Sequence, residues 1–223
     1  MTPMLETPDD NSETVSHRRP GLSNGQSGDA GGSAHYAAYY VDPAGRQSAM
    51  RAFFNQAARQ YDPVNLLFSL GSGGWYRRSR LRRSGLGRGQ LVVDVAVGTG
   101  LLAREAVALC GDADLVIGVD VSEAMLAIAK AKLGIALIQG SAEALPLASG
   151  IADFVTMGYA LRHMADLRAA LREALRVLRP GGKIVLLEIS APGQLLHRLL
   201  AAAYIGGILP VISLLMTRDR ASR

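Results

Sequence analysis

One cysteine, Cys110, stands in 223 residues. That excludes an intramolecular disulfide and any zinc site built from cysteines, and it fits a reducing compartment. Residues 1–47 lack an apolar signal region and hold almost no large apolar side chains, while Gly21, Gly25, Gly28, Gly31 and Gly32 crowd one short span. Such a segment buries too little surface to offset its ordering entropy, so a flexible tail is expected there, on a cytoplasmic chain. No acid separates Arg77, Arg78, Arg80, Arg82, Arg83 and Arg88, and this cluster alone outweighs the net charge of +5. It reads either as a solvated face or as a contact for anionic lipid headgroups or an anionic substrate. No aromatic residue interleaves with it, which argues against a base-stacking platform for nucleic acid. No internal repeat is evident.

Apolar residues make up 49% of the chain, ample for the core of one domain. Between 48 and 90, Phe53, Phe54, Ala57, Ala58 and Tyr61 recur at helical spacing. Asp62-Pro63 breaks the pattern and Val64 to Leu70 resumes it, so two short helices are expected. They form either a packing cap or a lid that excludes water from a cleft. The segment 91–192 then alternates. Apolar, β-branched runs at Leu91–Val95, Leu115–Val119, Ile135–Gln139, Phe154–Met157 and Lys183–Ile189 read as strands. Helical patterns lie between them, one capped by Ser122 and one, Leu167–Leu178, stopped by Pro180-Gly181-Gly182. This rhythm predicts an α/β fold with a mostly parallel sheet and helices on both faces. In the last segment, 193–223, no charge falls between Leu199 and Met216. Gly206, Gly207 and Pro210 interrupt it, so a helical segment packed on the domain or on a membrane surface is expected rather than a span.

The first strand runs into Gly98-Thr99-Gly100. Two glycines let the backbone turn tightly against a ligand, and the next helix aims its unpaired N–H groups at it. Gly98-x-Gly100-x-x-Ala103 also satisfies a dinucleotide fingerprint. Asp94 argues against that ligand, because a carboxylate there repels a pyrophosphate and no loop cation offsets it. The same carboxylate suits S-adenosyl-L-methionine, which carries an α-amino cation and a sulfonium. Asp120, ending the second strand, is placed to accept from both ribose hydroxyls in either case. Met125 reads equally as a cover for the adenine or as core.

Asp94-Val-Ala-Val-Gly-Thr-Gly100, Gly118-Val-Asp120, Ser122-Glu-Ala-Met-Leu126 and Glu143-Ala-Leu-Pro146 resemble class I S-adenosylmethionine-dependent methyltransferases. Ala58-Arg59-x-Tyr61-Asp62-x-x-Asn65, Ser69-Leu70-Gly71, Tyr159-Ala-Leu-Arg162-His163 and Arg176-Val-Leu-Arg-Pro-Gly-Gly182 narrow this to a resemblance to UbiE-type ubiquinone/menaquinone biosynthesis C-methyltransferases, from Phe53 to Arg220. The resemblance implies a Rossmann-like fold with an N-terminal helical lid. It puts Thr99 in the glycine turn, Asp120 and Val121 at the ribose, Ser141 and Ala142 at the adenine, and Gly158 beside the cofactor. Ser141 stands where the family usually has Asp or Asn, and Ala96 where it usually has the first glycine.

The implied reaction methylates a ring carbon of a prenylated quinol in menaquinone or ubiquinone biosynthesis; the alternatives are methyl transfer to an O or N atom of another small molecule, or an inactive binding module. Arg162 is then a candidate to stabilise the phenolate. His163, where the family usually has Asn, is either a general base or a hydrogen-bonded spacer. Tyr61 and Asp62 are alternative proton carriers. A prenylated acceptor also gives the arginine cluster and the 199–216 stretch a peripheral contact with the inner membrane face. The family fold ends in a two-stranded hairpin that this sequence does not reach. The fifth strand is therefore expected as an open edge, a liability for association into homo-oligomers.

Overall fold

A computed structural model describes residues 43–189 and 206–207. The expected tail over 1–42 and nearly all of 193–223 lie outside the described residues.

Two helices come first, α1 (Pro43–Ser69) and α2 (Gly73–Ser84). The alternating core follows as β1 (Val92–Val95), α3 (Leu101–Cys110), β2 (Val116–Asp120), α4 (Glu123–Lys132), β3 (Ala136–Gln139), β4 (Ala152–Gly158), α5 (Leu167–Val177) and β5 (Leu178–Leu187). Every pairing is parallel and the strand order is β3-β2-β1-β4-β5. The order reverses direction at β1 and β4, whose carboxyl ends therefore open a crevice.

Strand periodicity sorts side chains to the two faces. On one face Val93, Val95, Val155 and Met157 pack with Ala170, Ala174 and Val177 of α5. On the other, Val92, Val116 and Phe154 pack with Leu102, Ala106 and Cys110 of α3 and Leu81 of α2. Asp94 and Thr156 alternate onto this second face, paired in register. Ser122 caps α4 as expected, accepting from the Met125 N–H at 3.2 Å.

Three expectations change. Residues 43–47, expected in the tail, form the first turn of α1. The two short lid helices are one, with Pro63 inside it. A proline costs the helix one hydrogen bond. Here both halves are held from outside, by Asn55 and Asp62 on one side and Asn65 on the other. Finally, Pro180-Gly181-Gly182 is no loop after a stopped helix. α5 ends at Val177, Leu178 is already extended, and the Pro-Gly-Gly run joins β5 beside a register shift opposite Ala152 and Phe154.

Candidate active site

The turn after β1 stands at the crevice. Gly98 (φ +56°) and Gly100 (φ +85°) both take the left-handed conformation. A Cβ on Gly100 would meet only the movable Cδ1 of Leu133, at 2.5 Å, so the left-handed φ is what calls for glycine there. Ala96 also sits left-handed, at φ +56°, without a glycine's freedom. The Ala96→Gly variant is therefore expected to gain about 0.5–1 kcal/mol in urea unfolding, the strain relieved less the entropy of the added glycine. Tyr159, directly after β4, is a second strained residue, at φ +60°. Such outliers gather where surrounding structure holds them for a purpose.

Asp120 joins the two turns. Its carboxylate accepts from the Gly98 N–H at 2.8 Å and from the Ser122 N–H at 2.9 Å. Burial raises its pKa above the ordinary aspartate value, against the backbone N–H groups that lower it. Asp94 is buried deeper. Its Oδ1 accepts from the Thr156 hydroxyl at 2.6 Å, while Oδ2 is buried with no hydrogen-bond partner. Burial pushes its carboxyl up to about 7, with the Thr156 hydroxyl pulling the other way. An orphaned carboxylate oxygen asks for a cationic or hydrogen-donating ligand group.

The lid α1 is clasped over this edge by polar residues along its length. Arg51 pairs with Glu123 at 2.5 Å, and the Ser122 hydroxyl donates to Asn55 at 2.6 Å. Asp62 accepts from the Thr99 hydroxyl and pairs with Lys132. Between them Ala58 is buried.

Beneath the lid lies an open cleft of about 750 Å³. It is walled by Asp120, Val121, Met125, Gly98 and Ala142. Met50, Phe54, Ala160 and Met164 also line it, with His163, Gln47 and Glu143 as polar company. A smaller pocket of about 340 Å³ adjoins it, lined by Asp94, Thr99, Arg77 and Leu102. Tyr61, Gly158 and Tyr159 border both.

These placements test the sequence reading residue by residue. Tyr61, Gly98, Asp120, Val121, Met125, Ala142, Gly158 and His163 share the cleft, and Asp94 and Thr99 share the adjoining pocket. Gly100 lines neither and caps α3 instead. Ser141 turns its hydroxyl to Glu143 rather than to the cleft. Arg162 is half exposed. It pairs with Glu188 at 3.1 Å, and its Nε donates to His163 at 3.1 Å. It is not among the residues lining the cleft, and it touches the lining at His163. Asp62 is committed to Thr99 and Lys132. The arginine cluster is not one surface. Arg78 pairs with Glu105, Arg80 lies over the Tyr76 ring, and Arg77 is buried. Sequence reasoning missed Arg77, Tyr159 and Glu143. A signal for Arg77 was present, since it stands four residues from both Gly73 and Leu81, the other buried positions of α2.

A glycine turn at the carboxyl end of β1, a carboxylate ending β2 and a crevice at the reversal of strand order define a class I S-adenosylmethionine-dependent methyltransferase. Solved structures share this fold. Phosphoethanolamine N-methyltransferase 1 of Haemonchus contortus aligns with a TM-score of 0.56 at 19% identity, over 70% of this chain and 34% of that one. A protein of Methanococcus maripaludis aligns at 0.55 and 21%, over 69% and 72%. The sequence goes further. Residues 44–222 match the ubiE/COQ5 methyltransferase family, and the chain belongs to it. It is 32% identical over 197 residues to the ubiquinone/menaquinone biosynthesis C-methyltransferase UbiE of Shewanella sp. (strain W3-18-1), covering 85% of this chain and 78% of the relative. The same figures hold for the protein of that name in Shewanella sediminis.

The site fits the family's cofactor. The orphaned oxygen of Asp94 matches a cationic amino group, and Asp120 keeps lone pairs free beyond its two backbone bonds.

Proposed function

We propose that this chain transfers a methyl group to a ring carbon of a prenylated quinol, in the biosynthesis of ubiquinone or menaquinone. The observation that carries this reading is the set of apolar side chains that line the cleft with His163. Met50, Phe54, Ala160 and Met164 offer a flat ring little but dispersion and hydrophobic contact, and His163 is the one imidazole among the lining residues. The family membership and the activity for which the Shewanella relatives are named support the same acceptor.

S-adenosylmethionine, when bound, supplies an electrophilic methyl on its sulfonium. Asp94 and the Gly98 turn would hold its amino-acid end, Asp120 and Val121 its ribose, and Met125 and Ala142 its adenine. The rest falls to this chain's own groups. The ring must become electron-rich, so a ring hydroxyl gives its proton to water in the open cleft and charge gathers on its oxygen. The methylated ring carbon later releases its own proton the same way. His163 is suited to meet the charge as a donor. Burial and then Arg162 lower its pKa below the ordinary histidine value, so it is neutral at pH 7. Its Nε2 accepts from the Arg162 Nε–H, which leaves the ring proton on Nδ1, and Nδ1 is buried without a partner. The Phe54 ring stands edge-on at 5.1 Å and fixes the imidazole plane. We assign the donation to a developing phenolate to this Nδ1–H, reached once the acceptor displaces the side chains that cover it, and Arg162 acts by setting the tautomer. Burial raises the Tyr61 pKa, so Tyr61 also remains a donor at neutral pH. Alignment of the two reactants in the cleft supplies the remaining rate.

A donor and a base predict different variants. Asparagine keeps an N–H but accepts no proton at neutral pH. His163→Asn is expected to keep kcat within about fivefold, and His163→Ala to lose about 10–100-fold, as for other oxyanion donors. Equal loss in both would restore the general-base reading. For the acceptor itself, demethylmenaquinol and the corresponding benzoquinol are to be compared side by side with labelled cofactor. Transfer to at least one is expected, and transfer to neither overturns the reading.

Among the described residues no helix is long and apolar enough to cross a membrane. Contact with a membrane surface remains part of the proposal. Trp75, Leu70, Phe68 and Leu66, exposed at the α1–α2 corner, supply apolar groups for it, and Arg82 and Arg83, exposed at the far end of α2, supply basic ones. Flotation with anionic liposomes tests this, and no recovery of protein would remove the membrane part.

A further inference from the structure

Glu143 follows β3 in the loop that also gives Ala142 to the cleft, and its own side chain lines the cleft. Its carboxylate spans two loops. One oxygen accepts from the Ser141 hydroxyl, on its own side. The other accepts from the Ala165 N–H at 2.9 Å and, at a longer 3.5 Å, from the Asp166 N–H. That second loop joins β4 to α5 and carries Ala160, His163, Met164 and Ala165 into the cleft wall. The end of β5 holds its near half. There the Leu187 carbonyl accepts from the Tyr159 N–H at 2.7 Å, and Glu188 accepts from the Leu161 N–H at 3.0 Å. Its far half takes a carboxylate from another loop. Asp166 caps α5 by accepting from the Ala169 N–H at 3.0 Å. A capping box would place Glu or Gln where Ala169 stands, to reach back to the Asp166 N–H. Alanine has no such reach, and Glu143 supplies the acceptor instead, at the helix end whose dipole favours a negative charge.

We propose that Glu143 is a positioning residue for the methyl acceptor. It brackets the His163 loop to the loop after β3, so that His163 keeps a fixed spacing from the residues proposed to meet the adenine. A cap drawn from α5 itself would leave the two loops independent. Drawn from Glu143, the cap makes the acceptor wall and the Ser141–Ala142 loop one unit. The inference rests on the reading of His163 as the group that faces the acceptor, and adds to it what holds that group in place. Losing the bracket shifts a wall and removes no cofactor contact, so the effect falls on the acceptor before the cofactor. Small misplacements of this kind are costly, because transfer needs the reacting atoms close and in line.

The test separates the bracket from the cap. The full chain is compared with Glu143→Ala, with Ser141→Ala, and with Glu143→Ala combined with Ala169→Glu, which gives α5 its own capping box and leaves the loops unjoined. Each is read by its urea midpoint, by the ¹⁵N signals of the His163 imidazole without ligand (assigned with His163→Asn), by S-adenosylmethionine affinity and by the KM for demethylmenaquinol. Glu143→Ala is expected to lower the midpoint and to broaden or double the His163 signals. It should raise the acceptor KM by about five- to tenfold and keep the cofactor Kd within about threefold. Ser141→Ala cuts the bracket at its other end and leaves the cap, so the midpoint should hold while the His163 signals broaden. The double variant should regain the midpoint and keep both defects on the acceptor side. Recovery of every readout in the double variant would overturn the proposal and assign Glu143 to the cap of α5 alone. Sharp, single His163 signals in Ser141→Ala would overturn it too, and this arm decides if Ala169→Glu fails to restore the midpoint. The histidine signals are read without an acceptor, so they judge the bracket even if neither quinol is methylated.

Discussion

Asp94→Asn is expected to make the ligand-free protein more stable at pH 8 and to weaken S-adenosylmethionine binding by about 100-fold or more. The two effects have one cause. Asp94 is buried against Thr156, and its carboxyl is pushed up to about 7 by that burial. A raised aspartate pKa means that the folded state holds a proton the unfolded state has released. Stability is therefore greatest at the acid end of the window and falls as pH rises from about 4 to about 7, by an amount on the order of 4 kcal/mol over that span. The asparagine variant has no such slope. Even after leaving an amide short of a partner, it is expected to gain about 2 kcal/mol at pH 8. The cationic end of the cofactor reverses the sign by favouring the ionised carboxylate. Below pH 7 binding should expel a proton, and affinity should climb from pH 5.5 to 8. Urea unfolding at pH 5 and 8, with calorimetry in buffers of different ionisation enthalpy, reads both effects. An unchanged slope in the variant would remove Asp94 from the argument.

Asp120→Ala is the second large effect. The side chain holds the Gly98 N–H and the Ser122 N–H together, and so fixes the turn after β1 to the turn before α4. Its loss leaves the Gly98 and Ser122 N–H groups short of an acceptor and removes the proposed ribose partner. Cofactor affinity should fall by at least about 100-fold, and unfolding free energy by about 2–3 kcal/mol. Asp120→Asn keeps one acceptor oxygen and should recover part of both. Recovery of stability with full affinity in the alanine variant would contradict the ribose assignment, since the turn would then be held without it.

Where local pattern and tertiary need agree, the residues announced themselves. The β-branched runs fall on the five strands within a few residues, and Ser122 caps α4 because a short hydroxyl before an apolar helical pattern has few other uses. Asp94, a lone charge in a buried strand, already pointed to a cationic ligand. Three features were hidden by tertiary contacts. Pro63 reads as a helix stop, and only Asn55, Asp62 and Asn65 gripping the core on either side carry α1 through it. Ser141 has a closer partner in Glu143 than any ligand. Arg162 stands next to His163 in sequence, but only the fold shows Glu188 holding it outside the cleft. Arg77 is a different case. Its i±4 relation to Gly73 and Leu81 was visible, and five neighbouring arginines masked it.

The central claim is that this cleft delivers methyl to carbon. Demethylmenaquinol is to be incubated with S-adenosylmethionine carrying a ¹³C methyl, and the product examined by NMR. The account predicts the label as an aryl methyl, on a ring carbon. A label found as a methyl ether, on a ring oxygen, would contradict it.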